Sequence, residues 1–228
     1  MSSDPQAGEP GAPLFTGAIL AGGFSRRLGQ DKAALPLGGK PLALWVHQAL
    51  APLVATCWLI TNQPLAHLAL GLPLLTDLRP FLGPAGGLLT ALFWARTPWV
   101  LAAAVDNPFL APALLAELAA RAGRTSRSAV VCRSPRGLEP FPGLYSVRLF
   151  PALQDFLQAD RRPTRFLEIC QPQVLSETEV LALDPEGRSF FNLNTPRDLK
   201  QAEAWLAGTG SLRDSAGGGD TPGSNSGG

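Results

Sequence analysis

The sequence has little net charge, few cysteines and no long apolar run, and each of these shortages argues against a class of protein. The 228 residues carry a formal net charge of +1, so no global field attracts nucleic acid or an anionic membrane. Cys57, Cys132 and Cys170 are far apart and odd in number, which argues against a disulfide framework and against a metal centre. Apolar stretches such as residues 99–105 are too short to span a bilayer. We therefore expect a cytoplasmic protein with buried thiols and with neither nucleic-acid nor membrane partners.

The two ends of the chain differ in composition from its centre. Residues 1–14 are rich in proline, glycine and alanine, and they lack the basic start and apolar core of a secretory signal. Residues 208–228 are rich in glycine and serine and have no apolar periodicity. We predict that both ends are disordered and that residues 15–207 form a single domain, because apolar residues make up 46% of the chain and suffice for a sizeable core.

Between these ends, apolar runs alternate with stretches of helical pattern. Because the runs lack clean polar alternation and are separated by helices, they favour a parallel sheet covered on both faces. The predicted fold class is α/β, a Rossmann-like three-layer α/β/α arrangement with a mainly parallel central sheet. Thr195 is predicted to cap the last helix, with Pro196 at its first position and Asp198 three residues beyond the cap. The predicted strands are residues 17–21, 57–61, 98–105, 129–132 and 180–183, and the predicted helices are residues 41–51, 87–95, 112–121, 149–157 and 196–207.

The segment after the first predicted strand has the composition of a phosphate loop. Residues 20–32 read Leu-Ala-Gly-Gly-Phe-Ser-Arg-Arg-Leu-Gly-Gln-Asp-Lys. Glycines let the backbone approach an anion, consecutive N–H groups form an anion site, and Arg27 and Lys32 add positive charge. The spacing fits neither the nucleoside-triphosphate P-loop nor the dinucleotide fingerprint. A glycine-rich turn beside a solvated basic patch is the structural alternative.

Other polar residues also follow predicted strands. Asn62 comes after the second strand and Asp106 after the strand at residues 98–105. Ligands of an open parallel sheet bind beyond the carboxyl ends of its strands, so we expect these side chains to share one crevice with the glycine loop. The Asp106 carboxylate suits Mg²⁺, although an aspartate shortly before a proline also suits a helix N-cap.

Residues 20–32 resemble the signature of the molybdenum cofactor guanylyltransferases, which belong to the nucleotidyltransferase superfamily. The resemblance covers residues 16–207 and implies a nucleotide-diphospho-sugar transferase-like fold, with GTP in the N-terminal half and molybdopterin in the C-terminal half. It implies transfer of GMP from GTP to the phosphate of molybdopterin or its metal-bearing form, with pyrophosphate as the second product and Mg²⁺ as cofactor. The supporting segments, in the family's order, are residues 59–62, Asp77 with residues 83–87, residues 105–109 and residues 192–196.

The resemblance also implies roles for individual residues. Lys32, Arg27 and Asp106 are the implied catalytic set at the triphosphate, and Asp106 is the implied metal ligand. Asn192 and Asn194 are implied on the acceptor side, where a polar turn before the last helix is the other interpretation; residues 139–145 match a family loop near the same site. The residues implied at the nucleotide are Leu20, Ala21, Gly22, Gly23, Lys32, Asn62, Asp77 and Asp106.

Some questions stay open at this level. Asn62 and Asp77 are not divided between base and ribose, and a strand-end turn and a loop cap are their structural alternatives. Asp31 is expected to pair with a nearby arginine. His47 and His67 are assigned no chemistry, because neither has a partner at metal or triad spacing.

Three other functions compete with guanylyl transfer. A cytidylyltransferase acting on the same pterin is disfavoured because those enzymes typically carry Ala-Gly where this chain has Gly22-Gly23. A sugar-phosphate nucleotidyltransferase is disfavoured by the residues that follow these glycines. A non-catalytic nucleotide-binding adaptor is disfavoured because both Lys32 and Asp106 are present. The expected partners are GTP, molybdopterin or the molybdenum cofactor, molybdenum-insertion proteins and molybdoenzyme chaperones.

Overall fold

The computed structural model describes residues 15–21 and 31–214, with side chains up to residue 208. Gly22, Gly23 and Arg27, which were predicted at the nucleotide and the triphosphate, lie outside the described residues. So do residues 1–14 and 215–228, which fall within the predicted disordered ends.

The described residues form a mainly parallel sheet of seven strands, as the sequence predicted, together with a two-stranded ribbon. The sheet has the order β5-β4-β1-β6-β8-β7-β9, and β2 pairs with β3. β8 is antiparallel to both of its neighbours, so the other six strands of the sheet run in one direction. The strands are β1 (Phe15–Leu20), β2 (Pro36–Leu37), β3 (Lys40–Pro41), β4 (Thr56–Ile60), β5 (Leu74–Leu75), β6 (Trp99–Ala104), β7 (Ala129–Ser134), β8 (Gly137–Ser146) and β9 (Gln173–Leu175).

Helices cover both faces of this sheet. Alternate residues of one strand belong to opposite layers: Ile19 packs in one apolar cluster, and Ala18 and Leu20 pack in the other. The first cluster takes in buried residues of α1, α3, α6 and α7, and the second those of α2, α4 and α5, which confirms the three-layer prediction. The α-helices are α1 (Leu42–Leu50), α2 (Gly83–Trp94), α3 (Pro112–Ala122), α4 (Phe150–Phe156), α5 (Pro163–Cys170), α6 (Glu177–Leu183) and α7 (Pro196–Asp214), and short 3₁₀ turns span Ala51–Leu53, Pro64–Leu70, Val147–Leu149 and Arg188–Phe190.

One predicted strand is wrong. Residues 180–183 belong to α6 because a capping box starts a helix just before them. The Ser176 hydroxyl accepts a hydrogen bond from the Glu179 backbone N–H, and the Glu179 carboxylate accepts one from the Ser176 N–H at 2.8 Å. This cap satisfies two backbone donors that a strand would have to pair elsewhere.

The last helix begins as predicted but is longer. Thr195 and Asp198 exchange hydrogen bonds of 2.8 and 3.2 Å, which confirms the predicted cap. α7 then continues to Asp214, seven residues beyond the predicted end of the helix at residue 207. Glycine costs about 1 kcal/mol in a helix relative to alanine but, unlike proline, does not break it, so Gly208 and Gly210 are tolerated.

No helix among the described residues combines the length and the apolar character that a membrane crossing requires.

Candidate active site

The carboxyl ends of β4, β1 and β6 are tied together just beyond the strands. Ala21 donates its N–H to the Ile60 carbonyl at 2.9 Å, and Val105 donates to the Leu20 carbonyl at 3.2 Å. The side chain of Leu20 is buried in the core, which leaves only its backbone available to the edge of the sheet. These bonds bring the residues that follow the three strands to a common edge.

Lys32, Asp106 and Asn194 meet at this edge. The Lys32 Nζ atom lies 2.6 Å from Asp106 Oδ2 and 2.5 Å from Asn194 Oδ1. The side chains of Lys32 and Asp106 are only 13% and 19% exposed, so neither is an ordinary solvated surface charge. Three residues that were predicted from separate motifs, and that lie as far as 162 positions apart, therefore form one cluster.

The backbone around Asp106 excludes the N-cap interpretation of this residue. The next helix, α3, begins at Pro112 and has Ala111 as its N-cap. The carbonyl of Asp106 instead accepts the N–H of Leu193 at 2.9 Å. Asn107 donates its side-chain amide to the Phe191 carbonyl at 3.2 Å. Both bonds fasten the segment that carries Asn192 and Asn194 to the end of β6.

Asn62 and Asp77 form a second polar pair, beyond β4 and β5. Asn62 Nδ2 donates to Asp77 Oδ2 at 2.8 Å. The remaining oxygen atoms, Asn62 Oδ1 and Asp77 Oδ1, are buried and have no hydrogen-bond partner among the described residues. Asp77 is 7% exposed, and this burial raises the pKa of its carboxyl, against the opposing effect of its hydrogen bonds. The pair thus holds two buried acceptors that lack a donor within the described structure.

The start of α2 packs closely under this pair. The helix begins at Gly83, four residues before the predicted start, and it includes the whole glycine segment at residues 83–87. A Cβ atom at Gly87 would lie 3.1 Å from the Leu20 side chain and 3.7 Å from Asp77 Oδ1. Thr90 accepts the N–H of Leu78 at 3.0 Å, which holds the backbone next to Asp77 against the helix. Glycine at position 87 therefore allows the helix to pack closely against Leu20, beside Asp77.

A cavity of about 220 Å³ opens beside Asp106. Asn192 lines it, together with Glu139, Pro140 and Phe141 at the start of β8. Glu139 is held by the Ser134 hydroxyl at 2.6 Å and by Arg136 at 3.0 Å. The two asparagines that were predicted on the acceptor side are thus separated: Asn192 lies in the cavity wall, and Asn194 contacts the lysine.

Asp31 was predicted to pair with a nearby arginine; Arg26 and Arg27 lie outside the described residues, so that pairing stays a prediction. Asp31 Oδ2 lies 2.7 Å from Nε2 of His67, a buried residue to which the sequence assigned no chemistry. The local pattern gave one signal that was not used, a single histidine within the apolar run Leu-Ala-His-Leu-Ala at residues 65–69.

An open, mainly parallel sheet with a lysine, an aspartate and polar acceptors at its carboxyl edge defines a ligand-binding protein of the α/β class. The comparisons with known proteins identify the family. The model of the MobA-like NTP transferase domain matches residues 17–177, and the chain belongs to that family.

Proteins of related sequence and structure match most of the chain. The molybdenum cofactor guanylyltransferase of Cereibacter sphaeroides is 36% identical over 197 residues, which are 83% of this chain and 96% of the relative. The protein of the same name from Rhizobium meliloti (strain 1021) is 36% identical over 214 residues, covering 87% of this chain and 95% of the relative. Among solved structures, the molybdopterin-guanine dinucleotide biosynthesis protein A of Archaeoglobus fulgidus superposes with a TM-score of 0.74 at 27% identity, covering 85% of this chain and 99% of that one.

Proposed function

We propose that the chain transfers the guanylyl group of GTP to the phosphate of molybdopterin or its metal-bearing form, and releases pyrophosphate. The observation that carries the proposal is the Lys32–Asp106–Asn194 cluster beside the Asn62–Asp77 pair, at the edge where α/β sheets bind ligands. The names of the relatives support guanine as the base and the molybdenum cofactor as the acceptor.

We assign guanine recognition to the Asn62–Asp77 pair. Its two unpartnered acceptors match the adjacent N1–H and N2–H donors of guanine, whereas adenine lacks that donor pair. A buried acceptor left unpaired costs about 1–3 kcal/mol, so a base without these donors is rejected.

Binding comparisons with related nucleotides separate base from ribose contacts. If the pair binds the base, Asp77→Asn should reduce the preference for GTP over inosine triphosphate, which lacks the 2-amino group. An unchanged GTP to inosine triphosphate ratio, with a changed ratio of GTP to 2′-deoxyGTP, would assign the pair to the ribose instead.

Lys32 acts on the triphosphate. An ammonium group has three donors, and the cluster engages two of them, at Asp106 and Asn194. The third has no partner among the described residues, and we assign it to a phosphate oxygen, where the positive charge stabilises the negative charge that develops on the leaving pyrophosphate. The two fixed contacts orient this charge before the reaction begins.

Nucleotidyltransferases of this family typically use a divalent metal ion, and we propose Mg²⁺ with Asp106 as its protein ligand. Mg²⁺ is commonly held by one or two carboxylates together with substrate phosphates and waters. Asp106 fits this donor set because its carboxylate is a hard oxygen ligand and already faces a cation. When bound, the ion neutralises charge on the phosphates that must approach each other.

The acceptor phosphate binds next to Asp106, in the cavity lined by Asn192 and the start of β8. At about 220 Å³ this cavity is smaller than the roughly 300–1,000 Å³ typical of a whole small-molecule site, so it takes only part of the pterin compound. Asn192 supplies both donors and acceptors to a polar group there.

The test is to incubate the protein with molybdopterin, Mg²⁺ and either GTP, CTP or ATP, and to measure pyrophosphate and the dinucleotide product. We expect product with GTP. Product with CTP alone would make the protein a cytidylyltransferase, and pyrophosphate that requires a sugar phosphate in place of the pterin would make it a sugar-phosphate enzyme. A cytoplasmic location and transfer of the product to molybdoenzyme chaperones are proposals that depend on the same activity.

A further inference from the structure

His67 is a buried titratable residue that the proposed reaction does not use. It lies on the Pro64–Leu70 turn, five residues after Asn62, and is 1% exposed. Its Nε2 atom contacts Asp31, and its Nδ1 atom has no partner among the described residues. The imidazole therefore has one polar contact in the described structure, and that contact is to the residue before Lys32.

Asp31 uses both carboxylate oxygens to join two segments. Oδ1 accepts the backbone N–H of Ala33 at 2.8 Å, which fixes the turn that begins at Lys32. The turn is closed by the N–H of Leu35, which donates to the Lys32 carbonyl at 3.2 Å. Oδ2 contacts His67, so the backbone on both sides of Lys32 is anchored to the segment that follows Asn62.

A donor is required at position 67 for this anchor. The tautomer that carries its proton on Nε2 donates to the Asp31 carboxylate, and a glutamine amide can do the same. A leucine fills a similar volume but leaves Asp31 Oδ2 without the contact. The direction from which the Lys32 side chain reaches Asp106 and Asn194 is set by this backbone turn.

We propose that His67 is a positioning residue for Lys32: through Asp31 it holds the turn that aims the ammonium group at the triphosphate, and it links that turn to the Asn62 side of the nucleotide site. This inference rests on the proposed guanylyl transfer. It adds His67 as a residue that affects the reaction only through Asp31 and Lys32.

A double-mutant cycle tests the inference. Lys32→Ala should lower kcat by about 10²–10⁴-fold in the wild-type background, the scale for losing a group that stabilises developing charge. His67→Leu should lower kcat by roughly 10–100-fold with a smaller change in the KM for GTP, because misplacement by about 1 Å can cost 10²-fold. In the His67→Leu background, Lys32→Ala should then cost much less than it does alone, because the lysine is already misplaced.

Two further variants separate positioning from folding. His67→Gln should retain kcat within about threefold, since it restores a donor. His47→Leu makes the same substitution at the chain's other histidine, a partly exposed residue of α1, and should leave kcat unchanged. If His67→Leu does not fold, the cycle is run with Asp31→Ala, at a side chain that is 30% exposed.

The outcomes distinguish this inference from the proposed function. If Lys32→Ala lowers kcat by the same factor with and without the anchor, His67 is structural only and the inference is wrong. The same conclusion follows if His67→Leu is fully active, or if His67→Gln is as impaired as His67→Leu. A folded wild-type protein that forms no dinucleotide from GTP contradicts the proposed function itself.

Discussion

Two side chains at the carboxyl edge of the sheet share the Lys32 ammonium group. The Lys32 ammonium group bridges Asp106 and Asn194, so the charge of the lysine and that of the carboxylate are balanced within a single contact. In the proposed function, a phosphate attracts Lys32 and a divalent ion attracts Asp106. Each of them therefore draws one partner away from the Lys32–Asp106 contact. Single substitutions in this cluster therefore separate charge stabilisation from metal binding.

Replacing Asp106 with alanine should abolish transfer and leave the fold intact. The side chain belongs to neither apolar cluster, and its backbone bond to Leu193 does not depend on the carboxylate. The measurements are pyrophosphate release over a range of Mg²⁺ and Mn²⁺ concentrations, and thermal unfolding. Asp155→Ala, at an exposed aspartate of α4, is the matched control and should retain activity. Near-normal transfer by folded Asp106→Ala would contradict the metal role.

Asn192 and Asn194 should give different kinetic losses. Asn192→Ala should raise the KM for the pterin acceptor with little effect on GTP binding, because the residue lines the cavity beside Asp106. Asn194→Ala should also lower kcat, because its Oδ1 atom holds Lys32. Losing a buried amide contact costs about 1–3 kcal/mol. A selective loss of GTP affinity in Asn192→Ala would show that this residue contacts the nucleotide and not the pterin acceptor.

The buried carboxyl of Asp77 should make stability depend on pH. Its pKa is raised above the usual 3.8 by burial, so the folded protein holds this proton more tightly than the unfolded chain does. The stabilisation is fully present below pH 3.8 and is lost as the pH rises through the higher folded value.

Asp77→Asn should therefore unfold at a higher temperature than the wild type at neutral pH, while binding GTP more weakly. The stability difference should shrink in acid. Thermal unfolding at a series of pH values measures it, and a wild type that is more stable than Asp77→Asn at neutral pH would contradict the argument.

Among the elements, α6 shows how a cap decides between helix and strand. The run Val-Leu-Ala-Leu at residues 180–183 is apolar enough for either, and it is too short for periodicity to separate the two. The capping box formed by Ser176 and Glu179 supplies the helix start signal that the apolar run itself lacks.

Ser176→Ala should lower the free energy of unfolding by about 1 kcal/mol without changing turnover. Urea unfolding measures the effect, with Thr178→Ala, an exposed residue in the same helical turn, as the control. Equal losses in the two variants would mean that the cap contributes nothing beyond helix propensity.

The elements that the sequence predicted well are those with long local signals. β1, β4 and β6 are five- or six-residue apolar runs, and their observed bounds lie within two residues of the predicted ones. β8 was missed because Pro140, Pro142 and Gly143 are typical strand breakers. Its backbone is nevertheless paired with β6 on one side and β7 on the other. The local sequence pattern does not predict these pairings.

For the whole molecule, strand polarity explains why the location of the candidate site was predictable from the sequence. It does not predict the side-chain contacts that hold the site residues in place. Asn62 and Asp106 closely follow the ends of β4 and β6, and parallel strands bring such positions to one edge; Lys32 lies twelve residues beyond the end of β1. The contact between Asp31 and His67 joins residues 36 positions apart, and no periodicity signals it. The pairing of Asn194 with Lys32 has the same character, because only the folded chain brings the two together.

At the same scale, removing residues 215–228 should change neither the melting temperature nor the turnover. This segment is mostly glycine, serine and other small or polar residues, and it lacks the apolar surface that would offset its ordering entropy. The comparison is between the full chain and a chain ending at Asp214, the last residue of α7. A large drop in either quantity would show that the segment docks on the domain.

The reversed direction of β8 places part of the proposed acceptor site in a different segment of the chain from the proposed nucleotide site. Because β8 runs against its neighbours, its first residues, rather than its last, reach the reacting edge, where Glu139, Pro140 and Phe141 line the acceptor cavity. The residues that we propose for the nucleotide lie almost entirely before residue 107, and this wall of the proposed acceptor cavity lies after residue 136. Mutation can thus redirect such an enzyme toward a new acceptor by altering one hairpin while its nucleotide chemistry is inherited unchanged.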